Sequence, residues 1–242
     1  MSASSGIVAG MSTILVTGAN KGLGREAARR LLADGHDVWA AARDPERGRA
    51  AAEELGARAL VLDVADDASV QAAAETVAAS SGGVLDVLIN NAGIPGGAPP
   101  IRELTAEHVR SVYEVNVFGA IRTIHAFLPL LERSSAPVVV NVSSGLGSLA
   151  HSVDRDSPYA RFIVPAYCSS KAALNMLTNQ YAMALPAMRI NSVDPGYTAT
   201  DLNGHRGTQN VTEGTDAIVA MASIGPDGPT ATFVSRDGPV PW

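Results

Sequence analysis

The stretch Thr13–Asp44, TILVTGANKGLGREAARRLLADGHDVWAAARD, decides the fold. A short β-branched and apolar run, TILVT, meets three glycines, Gly18, Gly22 and Gly24. A helical pattern follows to Asp34, and after Gly35 a second apolar run begins, DVWAAA. Nearly continuous apolar strands of this kind are expected of a parallel sheet covered on both faces. The glycines let the turn be tight and let the backbone approach a pyrophosphate at the helix N-terminus. They would also serve a plain strand–helix turn. Their place after the first strand of a β-α-β unit favours the dinucleotide reading.

The alternation continues outward from this unit. Strands are expected at 13–17, 37–42, 57–61, 84–90, 138–142, 189–193 and 230–234. Helices are expected at 22–34, 45–55, 67–79, 105–133, 166–185 and 212–223. Regular β-α alternation implies right-handed crossovers. The expected architecture is a single-domain, Rossmann-like, doubly wound parallel α/β sheet of about seven strands flanked by helices. It spans residues 12–242, after an N-terminal tail at 1–11, with no repeat and no linker to divide it. Ligands of such sheets bind beyond the carboxyl ends of the strands.

Composition narrows the function. A net charge of -6 gives no electrostatic footprint for nucleic acid or an anionic membrane. The first residues lack the basic and apolar regions of a signal peptide. The weakly charged 162–188 stretch is too rich in Ser, Asn, Thr and Gln to span a bilayer. One cysteine, Cys168, excludes an internal disulfide and suits the cytoplasm. The five histidines show no zinc-like spacing, so no metal is expected.

The dinucleotide can be argued from the end of the second strand, where an NAD site usually places an acid. Here the strand closes on Ala42, followed by Arg43, Asp44 and Pro45. Asp44 reads better as the N-cap of a helix that begins with proline. Arg43 and Lys21 are two cations near the 2′ position, which favours a phosphate there and hence NADP(H) over NAD(H).

Taken together, these residues resemble the short-chain dehydrogenase/reductase family over nearly the whole chain after Met11. Thr17-Gly-x-x-x-Gly-x-Gly24 is similar to its cofactor loop, Asn90-Asn91-Ala92-Gly93 to the sequence after its fourth strand, and Tyr167-x-x-x-Lys171 to its central signature. The spelling TGANKGLG with AARD resembles the carbonyl-reductase-like members. The resemblance implies a catalytic set of Asn116, Ser144, Tyr167 and Lys171. It implies cofactor contacts from Gly18, Asn20, Lys21, Gly22, Leu23, Gly24, Arg43, Asp63, Val64, Asn90, Ala92, Gly93, Tyr167, Lys171, Pro195, Gly196, Thr198 and Thr200. Asn116 would hold a water linking Lys171 to solvent, and Pro195–Thr200 would cover the nicotinamide.

Lys171 is the one charged residue from Phe162 to Met188, four residues after Tyr167. On a helix the two share a face, ~5–6 Å apart at Cβ. A nearby ammonium is expected to stabilise the phenolate and lower the tyrosine pKa. Tyr167 would then act as general acid/base and Ser144 would hold the carbonyl oxygen. A buried tyrosine beside a snorkelling lysine is the plainer alternative. Cys168 is read as packing.

Ser144 and Tyr167 stand 23 residues apart, wider than the family commonly shows. The extra segment, within the expected substrate loop 144–165, is either a surface excursion or a flap contacting substrate through His151, Tyr159 and Phe162. The second wall is the 195–211 loop, read as a mobile lid. The expected activity is NADP(H)-dependent reduction of a small neutral ketone or aldehyde to an alcohol, reversibly. Reduction of an imine or other double bond, and cofactor sensing without turnover, remain as alternatives. The sequence leaves a homodimer and a homotetramer open, and leaves the terminal GPVPW either folded over its own chain or against a neighbour.

Overall fold

The computed structural model describes residues 10–242, so the first nine residues of the expected tail lie outside it. The chain runs β1 (Thr13–Thr17), α1 (Gly22–Ala33), β2 (Asp37–Ala42), α2 (Pro45–Leu55), β3 (Arg58–Val61), α3 (Asp67–Ser80) and β4 (Val87–Asn90). It continues through α4 (Ala106–Tyr113), a π-helical turn (Glu114–Phe118), α5 (Gly119–Leu131), β5 (Val138–Val142), α6 (Leu149–Val153), α7 (Pro165–Ala184) and β6 (Arg189–Val193). It ends with α8 (Val211–Gly214), α9 (Asp216–Ala222), β7 (Phe233–Ser235) and β8 (Gly238–Pro239).

The strands form one sheet in the order β3-β2-β1-β4-β5-β6-β7-β8, parallel up to β7. Strand order reverses between β1 and β4, and the glycine loop after β1 opens into the crevice created there. Side chains alternate along β1. Ile14 and Val16 join the core under α1, α2 and α9, while Leu15 joins the core under α3, α5 and α7. Both faces are therefore covered, which explains the unbroken apolar strands.

Several expectations need correction. The sheet has eight strands, because the terminal Gly238–Pro239 pairs antiparallel with β7. A two-residue strand ending in proline carries no periodic signal. The terminal segment folds over its own chain: Ala150 N–H donates to the Trp242 carbonyl at 3.0 Å, and the Trp242 ring stacks on Phe233. The expected helix 105–133 is interrupted by the π turn, and the expected helix 212–223 divides into α8 and α9. Strands β3, β4 and β7 start later than expected, at Arg58, Val87 and Phe233.

A buried chain of polar side chains crosses the sheet below its carboxyl ends. Thr123 Oγ1 donates to Asn90 Oδ1 (2.7 Å), Asn90 Nδ2 to Asn141 Oδ1 (2.9 Å), and Asn141 Nδ2 to Thr178 Oγ1 (2.9 Å). Ser192 Oγ also donates to Thr178 Oγ1 at 2.9 Å. Such a network locks α5, β4, β5, β6 and α7 in register because an orphaned member is costly. Asn141→Ala removes the acceptor for Asn90, so the unfolding free energy falls by about 1–3 kcal/mol. Urea denaturation checks this: the midpoint drops while the slope holds.

Candidate active site

The glycine loop is built by close backbone approach. Gly18 and Gly22 have φ of +65° and +55°, in the left-handed region that favours glycine. A Cβ on Gly24 would lie 2.5 Å from the Gly18 carbonyl oxygen and 2.4 Å from Asn91 Nδ2, so that position admits only glycine. Asn91 Nδ2 donates to the Thr17 carbonyl at 2.7 Å, and Thr17 Oγ1 accepts from Asn91 N and Ala92 N. The loop is thus tied to the end of β4. Thr17 and Asn91 are supports that sequence reasoning passed over, although both stood inside the quoted motifs. The α1 N-cap, Lys21, makes no capping side-chain bond, which leaves first-turn N–H groups to a ligand.

Beyond β2, Asp44 caps α2 by accepting from Glu46 N (3.1 Å) and Arg47 N (3.0 Å). Its role as a cap follows the sequence reading. Arg43 is exposed beside it. Lys21, read as a cation near the 2′ position, is exposed, and its Nζ pairs with Asp201 Oδ2 at 2.8 Å. This surface pair bridges the glycine loop to the 195–211 loop. Asp63 lies two residues past β3, and its Oδ1 accepts from Ala65 N. Val64 is buried, packed over Gly119. The Asn90 side chain takes part in the sheet network, donating to Asn141 Oδ1 and accepting from Thr123 Oγ1.

The catalytic candidates converge at the ends of β4, β5 and β6. Ser144 directly follows β5 and Ser143, and its hydroxyl accepts from Leu146 N as the chain turns into a 3-10 turn at Gly145–Gly147. That turn packs on α7 so tightly that a Cβ on Gly147 would lie 2.7 Å from the Lys171 carbonyl carbon. Lys171, 4% exposed, sends Nζ to the Val142 carbonyl at 2.7 Å and stands 5.7 Å from the Tyr167 ring centroid. Asn116 sits in the π turn, a distortion common at functional sites. Its amide is bonded both ways to the Ile94 backbone and donates to Ser170 Oγ. Gly93 fills the space between, where a Cβ would be 3.3 Å from Asn116 Oδ1 and 3.7 Å from Lys171 Nζ.

The electrostatics correct one expectation. The Tyr167 phenol is not lowered; burial pushes it above its ordinary value, Asp194 adds to the rise, and a hydrogen bond with Ser144 works against it. The same burial pulls Lys171 down to about 8. Scarcity of water disfavours both charged forms.

The 144–165 segment lies over the site. Tyr159 covers Gly145 and stacks on His151 with centroids 4.8 Å apart, and Phe162 meets Tyr197 of the other loop at 5.9 Å. A small cavity of about 80 Å³ lies beneath, lined by Leu146, Tyr159, Phe162 and Cys168 among others. The 195–211 loop is held by its own bonds. Thr198 Oγ1 donates to Pro195 O, Ala199 N to Gln209 O, Asn203 Nδ2 to Thr198 O, and Gly196 N to Asp194. Thr200 stands against Gly22. A wider groove of about 330 Å³ between α9 and β7–β8 contains none of these residues. Among the described residues no group of His, Cys, Asp and Glu could hold a metal, and no helix is long and apolar enough to cross a membrane.

The family model described as short chain dehydrogenase matches residues 12–211. The chain belongs to the short-chain dehydrogenase/reductase family and is an oxidoreductase of that family. A short-chain dehydrogenase of Penicillium roqueforti is 37% identical over 225 residues, covering 88% of each chain. (+)-Neomenthol dehydrogenase of Arabidopsis thaliana is 32% identical, covering 92% of this chain and 95% of its own. Among solved structures, the NADPH-bound carbonyl reductase from chicken fatty liver superposes with a TM-score of 0.84 at 29% identity, over 96% of this chain and 99% of its own.

The buried lysine gives a prediction of sign. Its folded value, about 8, lies below its ordinary 10.5, so the unfolded chain binds more protons between these values and stability rises with pH there. Lys171→Met removes that rise and raises the thermal midpoint of the cofactor-free protein at neutral pH. Scanning calorimetry across the alkaline range reads both.

Proposed function

We propose that this protein is an NADP(H)-dependent carbonyl reductase that converts a small neutral ketone or aldehyde into an alcohol, reversibly. The observation that carries the reading is the meeting of Ser144, Tyr167, Lys171 and Asn116 at the strand ends beside the glycine crevice. The residues present suit a dinucleotide. Gly24 could not carry a side chain, the start of α1 has no side-chain cap, and Lys171 uses one of its three donors on Val142.

The pyrophosphate would be held by the Gly18–Gly24 loop, and the 2′-phosphate by Arg43, which is exposed and forms no ion pair among the described residues. When bound, the reduced nicotinamide supplies the hydride. Ser144 donates to the carbonyl oxygen and fixes it beside Tyr167. A phenol kept protonated by its surroundings then gives its proton to that oxygen as negative charge develops. Lys171 offers its remaining N–H groups to ribose hydroxyls and steadies the phenolate left behind. Asn116 holds the loop at Ile94 against α7, keeping the lysine in place. Phe162, Tyr159 and Tyr197 give the pocket aromatic walls, which suit an uncharged substrate. The similarity to a carbonyl reductase solved with NADPH supports both the cofactor and the reaction.

Tyr167→Phe lowers kcat for NADPH-dependent carbonyl reduction by about 10²–10⁴-fold and leaves the NADPH Kd unchanged; retained activity would remove the acid/base role. Arg43→Ala weakens NADPH by about tenfold or more, the worth of a bond to a charged group, with NADH unaffected. Equal weakening of the two would place the 2′-phosphate elsewhere. Fluorescence titration with each nucleotide distinguishes these outcomes.

A further inference from the structure

The crevice has a second half that the reaction itself does not explain. On the proposed function the pyrophosphate sits on the Gly18–Gly24 loop after β1, and the nicotinamide lies beside Ser144 and Tyr167, beyond β5. In the sheet order β3-β2-β1-β4-β5 the other nucleoside then extends to the opposite side of β1, over the ends of β2 and β3. Arg43 follows β2 directly. Asp63 and Val64 follow β3, and Val64 is buried.

Val64 is gripped twice from the first turn of α5. Gly119 lies against its side chain, where a Cβ would fall 2.9 Å from Cγ2 and 3.0 Å from Cβ. Three residues on, and so on the same helix face, Arg122 reaches its backbone: Nη1 donates to the Val64 carbonyl at 3.3 Å. The same guanidinium donates through Nε to Asp67 Oδ1 at 2.6 Å, in the first turn of α3. Through Nη2 it donates to the Glu114 carboxylate at the start of the π turn, whose carbonyl lies 3.4 Å from Nη1. The arginine side chain is only 21% exposed. An isolated surface ion pair contributes little, and a point charge would serve it as well. One planar fork bonded to the loop after β3, to α3 and to the π turn is a geometric device, which an ammonium could not reproduce.

We propose that Arg122 is a positioning residue for the adenosine half of the cofactor, fixing the Asp63–Val64 wall against α5 so that the wall stands ready for the nucleotide. The proposal rests on the dinucleotide reading above. A wall held in its binding position spares the ligand the cost of ordering it, so the fork contributes to affinity without touching the nucleotide. Its hydrogen bonds go to none of Asn116, Ser144, Tyr167 and Lys171. Asn116, two residues beyond Glu114, has its own anchors in the Ile94 backbone and Ser170. Loss of the fork therefore weakens binding and spares the chemical step.

Arg122→Met tests this, because it keeps the apolar stem and removes the fork. Calorimetric titration with adenosine 2′,5′-bisphosphate, which carries the adenosine half alone, is set beside titration with NADPH and beside kcat for carbonyl reduction at saturating NADPH. The expected result is a Kd raised about tenfold for both nucleotides, by the same factor, with kcat held within about twofold. An unchanged Kd for the bisphosphate would overturn the proposal. A fall in kcat with that Kd unchanged would also overturn it, and would assign the arginine to the π turn. A purely structural arginine would lower the thermal midpoint and leave the Kd of the folded protein where it was. Arg122→Lys keeps a cation between Asp67 and Glu114 and lacks the fork, and it serves where Arg122→Met does not fold. It too must weaken the bisphosphate, and wild-type affinity in it would overturn the proposal. A wild type that binds neither nucleotide would remove the dinucleotide reading and this one with it. Equal, tight binding by wild type and Arg122→Met would remove this one alone.

Discussion

An ammonium group with 4% of its residue's surface exposed, anchored on the carbonyl that ends β5, is the constraint around which this site is arranged. Burial of a lysine is unfavourable to folding, and here it pulls the side chain down to about 8. Gly147 lies against its backbone, Gly93 against its Nζ, and the Asn116 amide closes the space beyond. A residue retained at a cost to stability, with donors to spare, marks a group selected for what it does when a ligand arrives.

The fold brings this lysine to the crevice by register. β5 and β6 end side by side, Val142 beside Val193, so Ser143 and Asp194 leave the sheet at one level, with Asn90 of β4 in register with Asn141 below them. The buried amide and hydroxyl chain from Thr123 to Ser192 fixes that level from below. Above it, two loops close the pocket. One is fastened through Tyr159 to Asp194, the other through Asp201 to Lys21. The glycine loop, the end of β6 and both overlying segments are therefore connected through side chains of only modest length.

Much of this was legible in the sequence. The strands at 13–17, 37–42, 138–142 and 189–193 and the helix at 45–55 begin and end where apolar runs, caps and glycines place them. Asp44 could be recognised as a cap because a proline followed it. The π turn at Asn116 was not legible, because one extra residue in a helical turn scarcely disturbs a periodic pattern. The eighth strand was too short to show periodicity. The pairing of Lys21 with Asp201 joins residues 180 apart, and Tyr159 with Asp194 likewise depends on tertiary approach. The direction of the Tyr167 displacement was misjudged because spacing along a helix reveals the neighbouring cation and not the missing water.

On the proposed function, Lys171 is held in a state that a bound dinucleotide would complete. Calorimetric titration with NADPH at pH near 8, repeated in buffers of different ionisation enthalpy, counts the protons taken up on binding. If ribose hydroxyls and phosphate charge restore the ammonium, the wild type takes up a fraction of a proton and Lys171→Met takes up none. Equal proton uptake in the two proteins, or none in the wild type, would contradict it.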